Sequence, residues 1–433
     1  MKVAVIGAGW AGCAAAVEAT RHGHQVTLLE ATPTAGGRAR RVDLQGLVLD
    51  NGQHILIGAY HETLKLMAEL GVNERAALLR LPLTLLGPDG RGLRLPLSRF
   101  TPAPLDALVG IALARGWTWQ DKLSLLKTAS AWHLRRFQCP PQQSVADLCR
   151  GVTAQIMTTL IEPLCVSALN TPPDRASGEV FLRVMRDALF SSSGGSNLLL
   201  PRVDLSTLMP DAALVWLRRH GAKVMQGARV QGLSGSNTST GQGWSLAGVG
   251  AEYSGVFDRV VIACPPVEAA RLAASCGQAS QTWLARTCGL HHEAIATVYL
   301  QHQGSTAACL HQPLVALPSS PGFPAQFVFD RGQLGGPPGL LAFVVSASVA
   351  GSAVLTSQVL AQADAQLDLK NLVPVQTIVE KRATFACSPG LMRPGMDIAP
   401  GLLACGDYID GPYPATLEGA VRSGLQAARQ LAN

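Results

Sequence analysis

The chain predicts an α/β fold: a parallel, helix-flanked sheet with a glycine-rich turn near its start and an inserted α+β region, closed by the last segment. Three observations predict it. Lys2 to Ile6 is a short β-branched apolar run, followed at once by Gly7-Ala8-Gly9-Trp10-Ala11-Gly12 and the alanine-rich stretch Cys13 to His22. That order reads as buried strand, tight turn and helix. Gln25 to Leu29 reads as a second strand that stops at Glu30. Near the other end, Leu402 to Cys405 reads as a strand running into Gly406-Asp407, and Pro414-Ala415-Thr416 opens a terminal helix.

Each residue type in the first turn has a physical task. Gly7 permits the sharp turn, Gly9 lets a pyrophosphate approach the backbone, and Gly12 lets helix and strand pack closely. The N–H groups that open the helix have no partners within it and are free to bind phosphate oxygens. Glu30 is placed to accept hydrogen bonds from a ribose and to disfavour a 2′-phosphate. Directly after the second strand, Ala35-Gly36-Gly37-Arg38-Ala39-Arg40 brings glycines and Arg38 to where they can clamp the same pyrophosphate.

GxGxxG, then Glu, then GGR resembles the large flavoprotein superfamily of amine oxidases and phytoene desaturases. The resemblance implies a Rossmann-like FAD-binding domain of the glutathione-reductase and amine-oxidase type, an inserted α+β substrate domain, and FAD rather than NAD as cofactor. It also implies that Val230 packs its backbone on the adenine, and that the pattern Gly406-Asp407 with Pro414-Ala415-Thr416-Leu417-Glu418-Gly419-Ala420 closes the FAD site. A strand ending in Gly406-Asp407 positions a carboxylate for a ribityl or pyrophosphate hydroxyl. A helix opening over Ala415 to Ala420, with Thr416 in its first turn, aims bare N–H groups and a positive dipole at the flavin.

Composition narrows the class. At 433 residues the chain is too long for one compact core, so two domains are expected. Hydrophobic residues make up 48% and charged residues 15%, as in a well-buried globular protein. The net charge of +6 is mild and no basic run is dense, which argues against nucleic acid as a partner and leaves open a peripheral contact with an anionic membrane surface. Ten cysteines lie scattered with no CxxC pair and no histidine at metal spacing, so no metal site is expected and a reducing, cytoplasmic setting is. The N-terminus reads as a strand rather than a signal peptide, and no apolar stretch is long enough to span a membrane.

Along the chain, Val42 to Leu49 reads as a hairpin leading into Asp50-Asn51-Gly52-Gln53-His54-Ile55-Leu56-Ile57-Gly58. Burying Asp50, Gln53 and His54 without partners would cost several kcal/mol, so they are expected to be hydrogen-bonded or to face a cavity. The wording DNGQHILIGAY, with PLCVSALNTP at 163–172, resembles the hydroxysqualene dehydroxylases, FAD-dependent enzymes of squalene and hopanoid biosynthesis. That resemblance implies a long isoprenoid substrate whose hydroxyl leaves as water; Asp50, or His54 assisted by Asp50, is expected as proton donor from its expected place beside the flavin. A carotenoid-type desaturase, an amine oxidase and a non-enzymatic prenyl carrier of the Rab-escort type remain alternatives on the same fold.

Tyr60 to Leu70 is an amphipathic helix, and the proline-punctuated stretch from Leu79 to Gln138 is where a substrate region would be inserted. Thr159 to Asn170 reads as an apolar helix whose Glu162, Cys165 and Asn170 could line a pocket; a further helix covers Ala176 to Phe190. Ser191 to Ser196 is a loop but not a P-loop, because no GK[ST] follows. Leu205 to His220 reads as a helix, Ala228 to Leu233 as a strand, Ser234 to Gly243 as a polar turn, and Val256 to Cys264 as a buried strand. Gly248-Val249-Gly250 has the wrong spacing for a second dinucleotide turn, so no dedicated NAD(P)H domain is expected, and the electron donor is open, a diffusing NAD(P)H among the candidates. Val267 to Trp283 reads as one helix, and the strands from His291 to Ser346 as an antiparallel sheet flooring a substrate pocket. His291 and His292 point to opposite faces and cannot chelate one metal together. The expected division is 1–60, 198–266 and 385–433 for the FAD-binding domain, with 61–197 and 267–384 binding substrate.

Overall fold

Val3, Ala4 and Val5 have no solvent-accessible surface, as expected of a strand covered on both faces. In the computed structural model, which describes residues 1–96, 104–190, 193–238, 241–249, 255–348 and 350–431, they lie at the centre of a six-stranded sheet. Pro102 of the inserted region, Ser191 and Ser192 of the serine–glycine loop, residues 239–240 of the polar turn and Gly250 lie outside the described residues.

The sheet order is Lys223–Gln226, Gln25–Glu30, Lys2–Ile6, Arg259–Ile262, Leu402–Ala404, Asp397–Ala399. Every pairing is parallel except the last. Ile6 pairs with both Leu29 and Ile262, so the chain leaves three neighbouring strands at one edge. In open α/β sheets that carboxyl edge is where ligands sit. Strands from both ends of the chain therefore build one rim.

The helix Trp10–Arg21 is buried from Trp10 to Ala19, its alanines allowing close approach. The terminal helix Leu417–Leu431 lies directly on it. A Cβ on Gly424 would sit 2.1 Å from the Ala11 carbonyl oxygen and 3.0 Å from the Ala15 nitrogen. Neither atom can yield without moving the first helix. Gly424→Ala is therefore expected to cost about 3 kcal/mol, the upper end for overpacking. A urea midpoint identical to that of the unsubstituted protein would refute this.

A second, antiparallel sheet runs Leu314–Ala316, Phe327–Asp330, Leu340–Ser346, His292–His302, Leu372–Phe385. Alternation along its long strand divides the side chains. Ala296, Val298 and Leu300 pack with Phe343, Val345 and the helix Ser352–Leu367 in a small core of their own. Tyr299 and Ile295 turn to the main core.

Several elements differ from the sequence reading. The stretch 267–283 forms two helices, Pro266–Ser275 and Gln281–Cys288. Gly277 (φ 67°) turns the chain out of the first, and the Ser280 hydroxyl caps the second through the Trp283 N–H (3.1 Å). The polar stretch 234–243 is mostly paired strand, Gly232–Thr238 against Gly241–Ala247, anchored by a fully buried Trp244 that lies opposite Gly235. The strand expected from Ala228 begins only at Gly232, so Val230 lies in the loop before it. The apolar stretch after Ala154 passes through a π-helical turn, Met157–Ile161, before the helix Glu162–Leu169.

Candidate functional site

The site begins where the first strand ends. Gly7 has φ 111°, and a Cβ there would meet the Ala263 carbonyl oxygen at 2.7 Å; a Cβ on Gly12 would lie 1.8 Å from the Gly7 oxygen. Both positions admit only glycine. Gly9 differs, since its Cβ would meet nothing nearer than the Gly37 Cα at 3.9 Å. Gly9 is the residue before the first helix, and no side chain caps it. The second glycine loop closes onto the first: Gly36 N–H donates to the Ala8 carbonyl (2.8 Å), and a Cβ on Gly37 would lie 3.3 Å from the Gly9 Cα. The result is a bare-backbone cradle over uncapped helix N–H groups, the surface a pyrophosphate requires.

Glu30 holds this cradle from beneath. Its carboxylate accepts from the Ala8 N–H (2.8 Å) and from both the N–H and hydroxyl of Thr32 (2.8 Å each). The Glu30 carbonyl accepts from Ala228 N–H (2.8 Å), which brings buried Val230 to the same corner, its own carbonyl held by Arg271 at 3.2 Å.

Arg38 links the two ends of the chain. It donates to Asp407 Oδ1 at 2.5 Å and to the Ala383 carbonyl at 2.7 Å. Burial opposes its charge, but Asp407 outweighs that and holds the guanidinium above its ordinary pKa. The Asp407 carbonyl accepts from Ala415 N–H (3.1 Å), and Ala415 takes the uncommon φ of 56°. Thr416 then caps the terminal helix, accepting from Gly419 N–H (3.0 Å), while Ala420 N–H returns to the Thr416 carbonyl (3.0 Å). Gly406 leaves no room for a side chain, since a Cβ would lie 2.6 Å from the Tyr408 ring. Gly7, Gly9, Gly12, Glu30, Gly37, Arg38, Gly406, Asp407, Thr416 and Ala420 thus form one connected set of backbone and side-chain contacts.

Asp50 and His54 stand differently, and no hydrogen bond joins them. Asp50 Oδ1 accepts from Leu205 N–H (2.8 Å), and its carbonyl accepts from Tyr299 OH (2.7 Å). Burial pushes the Asp50 carboxyl up to about 6, against the Leu205 hydrogen bond and Arg331, with Asp204 adding to the rise. The His54 ring meets the Gly52 carbonyl through Nδ1 (3.0 Å), so Nδ1 carries the proton. Burial, and secondarily Arg38, lowers the His54 pKa. A neutral ring of this tautomer offers Nε2 as an acceptor, not a donor. Asp50 is the better proton reservoir of the two.

Three residues with no role assigned from sequence belong to this region. Asn51 pins the GGR loop, accepting from Arg40 N–H (3.1 Å) and donating to the Arg38 carbonyl (2.6 Å). Fully buried Glu418 accepts from Thr63 N–H (3.0 Å), Thr63 Oγ1 (2.7 Å) and Glu62 N–H (3.2 Å), so the terminal helix caps the helix His61–Glu69. An acid inside a small-residue helix start was its only sequence signal. Thr297 Oγ1 is buried without a hydrogen-bond partner, and both it and His54 Cε1 would lie 3.9 Å from a Cβ on Gly52. That orphaned hydroxyl faces the 50–54 loop and is satisfied only by something the protein itself does not supply.

The pocket-lining role expected for Cys165 and Asn170 is not met. Cys165 is sealed, its thiol pushed far up by burial. Asn170 ends its helix with φ 46° and ties it to the antiparallel sheet through Thr384 Oγ1 (2.9 Å) and Ala347 N–H (3.0 Å). Among the described residues no group of three or more His, Cys, Asp or Glu is placed to hold a metal ion.

Comparison with known proteins agrees with this geometry. The chain is 28% identical to hydroxysqualene dehydroxylase of Rhodopseudomonas palustris, over 98% of this chain and 97% of that one. It is 33% identical to zeta-carotene desaturase of Synechocystis, but over only 29% of this chain and 26% of that one. The crystal structure of an oxidoreductase from Methanosarcina mazei superposes with a TM-score of 0.71 at 18% identity, covering 99% of this chain and 100% of that one. The family model for flavin-containing amine oxidoreductases matches residues 10–432. Matched by that family model over nearly its whole length, the chain belongs to the flavin-containing amine oxidoreductases, and its cofactor is FAD.

Proposed function

We propose that this flavoprotein reductively removes the hydroxyl of hydroxysqualene, giving squalene and water. The carrying observation is the likeness to a hydroxysqualene dehydroxylase along almost the whole of both chains. The likeness to a carotenoid desaturase covers less than a third of this chain and supports an oxidative reaction less well. FAD, when bound and reduced, supplies a hydride to the carbon that loses oxygen. The substrate's C–O bond breaks as its oxygen takes a proton and leaves as water, and the new C–H bond replaces it.

In this reading the chain's residues do three things. Gly9, Gly37 and the open N–H groups of the first helix hold the pyrophosphate, Glu30 the ribose, and Arg38, Asp407 and the Thr416–Ala420 helix start the remainder, with Val230 at the adenine. Asp50, whose carboxyl burial raises to about 6, gives a proton to the departing hydroxyl, and His54 orders the loop beside it. Residues 1–60, 198–266 and 385–433 form the cofactor domain, while 61–197 and 267–384 enclose the isoprenoid. A soluble donor such as NAD(P)H reloads the flavin.

The test is a single anaerobic turnover. Photoreduced protein mixed with hydroxysqualene is expected to regain the oxidised flavin spectrum and to release one squalene per flavin. Reduced flavin that persists beside unchanged hydroxysqualene would end the proposal.

A further inference from the structure

We propose that the outer face of the helices Leu105–Leu113 and Trp119–Leu134 docks on the surface of an anionic lipid bilayer. The sequence between them already departs from ordinary surface design. Leu105, Leu108 and Leu113 of the first helix are exposed, as are Trp119, Leu123 and Leu134 of the second; Leu113 is 70% and Trp119 75% exposed. Trp119, Leu123 and Leu134 recur at helical spacing on one side, so the exposure is a face and not scatter. Large apolar side chains exposed along two adjoining helices mark an interaction site.

The two helices are held as one unit. Lys122 Nζ donates to the Ala112 carbonyl (2.7 Å), one of the unpaired carbonyls at the end of the first helix, and the same ammonium lies 5.4 Å from the Trp119 ring centroid. The Thr118–Asp121 capping box fixes the start of the second helix immediately after the turn.

Charge decides the partner. Between residues 105 and 136 the basic residues are Arg115, Lys122, Lys127, Arg135 and Arg136, and the acids are Asp106 and Asp121. Both acids are buried, 2% and 6% exposed, and both are spent on local backbone and hydroxyl donors: Asp106 on Ala107 N–H, Asp121 on Thr118 and Thr153. The exposed side chains of these helices and their flanks therefore combine leucines and a tryptophan with the cations Arg115, Lys127, Arg135 and Arg136, and include no acid of either helix. A protein partner buried against leucines would have to neutralise those cations, whereas an anionic leaflet offers apolar depth and negative headgroups together. A tryptophan at the boundary suits the same interface.

The helices lie on the bilayer and do not cross it. The first is nine residues long, about 14 Å, and no helix among the described residues is long and apolar enough to span a membrane. Docking here extends the isoprenoid reading, because it would bring an insoluble substrate to the protein. It is tested without substrate, so the two can fail separately.

The experiment is co-flotation of the FAD-loaded protein with vesicles of phosphatidylcholine alone and with about one-third phosphatidylglycerol. Binding is expected to the anionic vesicles and to weaken as salt is raised. The double variant Leu113→Glu with Trp119→Glu should bind them at least about 10-fold less well, with an unchanged flavin spectrum. Lys127→Glu with Arg135→Glu should lose the preference for anionic vesicles. The proposal is overturned if the unsubstituted protein stays with the unbound fraction at low salt, or if the Leu113/Trp119 variant floats equally well. It is also overturned if the main effect of that variant is to convert an oligomer to a monomer in sedimentation, which would make the face a contact between copies.

Discussion

Asp50→Asn should lower turnover by about 10²–10⁴, the usual worth of a positioned acid, while leaving substrate affinity nearly unchanged. The substitution is chosen because asparagine is isosteric and its oxygen can still accept from Leu205 N–H, the contact that Asp50 Oδ1 makes at 2.8 Å. What it removes is the proton. Burial raises the Asp50 carboxyl to about 6, so its protonated fraction falls as pH rises through that value. Turnover of the unsubstituted enzyme is expected to fall on the alkaline side of about pH 6, and in the asparagine variant that limb should vanish. Stability carries the same signature with a definite sign. The native carboxyl binds its proton more tightly than the unfolded one, so stability is lost as pH rises from about 4 to about 6 and is flat beyond. By the size of the shift the loss is about 3 kcal/mol. Asp50→Asn has no charge to bury and should flatten that slope. Urea midpoints at pH 4, 5, 6 and 7 check stability, and stopped-flow flavin reoxidation checks turnover. A variant with full turnover and an unchanged pH profile would leave Asp50 as a helix-capping residue only.

His54 meets the same argument from the other side. Its Nδ1 proton is committed to the Gly52 carbonyl, and burial and Arg38 both work against a second proton on the ring. Its resting form accepts hydrogen bonds through Nε2. An imidazole in that state can orient a hydroxyl beside the loop, but it has no acidic proton to spare.

What could be read from sequence here follows the range of the interactions. The turn Gly7–Gly12 is legible because its demands are local: a positive φ at Gly7 and a contact between Gly12 and the Gly7 oxygen lie within six residues. The parallel sheet is legible because Val3 to Ile6 and Val260 to Ile262 are apolar without alternation. Gly424 lies outside any such local demand: its glycine is required by Ala11, at the other end of the chain. Asn51 and Glu418 stood in conspicuous motifs, but their tasks depend on which distant N–H groups the fold delivers to them. Thr297 carries no local signal at all. It is an ordinary strand threonine until its hydroxyl is found buried without a partner. Long polar stretches misled for a related reason: residues 234–243 have turn-like composition, and backbone pairing with a single buried tryptophan outweighs it.

Arg38→Ala is expected to be the most damaging single change for cofactor retention, and two costs combine in it. The first is internal. Asp407 is 7% exposed and takes its charged partner from Arg38 at 2.5 Å, so truncation leaves a buried carboxylate unpaired, at about 3–5 kcal/mol. The second falls on FAD, because the lost guanidinium also joins the GGR loop to Ala383 and holds Asp407 in place beside the terminal helix. Arg38→Lys does not repair this. A lysine carries its donors on one nitrogen and does not reproduce the two separate nitrogens with which the planar fork reaches the Ala383 carbonyl and Asp407. The double variant Arg38→Ala with Asp407→Asn separates the two costs. It removes the stranded charge, so apoprotein stability should return by about 2 kcal/mol or more, whereas flavin retention after desalting should stay poor. If the double variant regains its yellow colour along with its stability, the Arg38–Asp407 clasp only ties the two ends of the chain together. If colour stays lost while stability returns, the same pair holds the cofactor as well, and one ion pair joins the folding of the chain to the loading of its flavin.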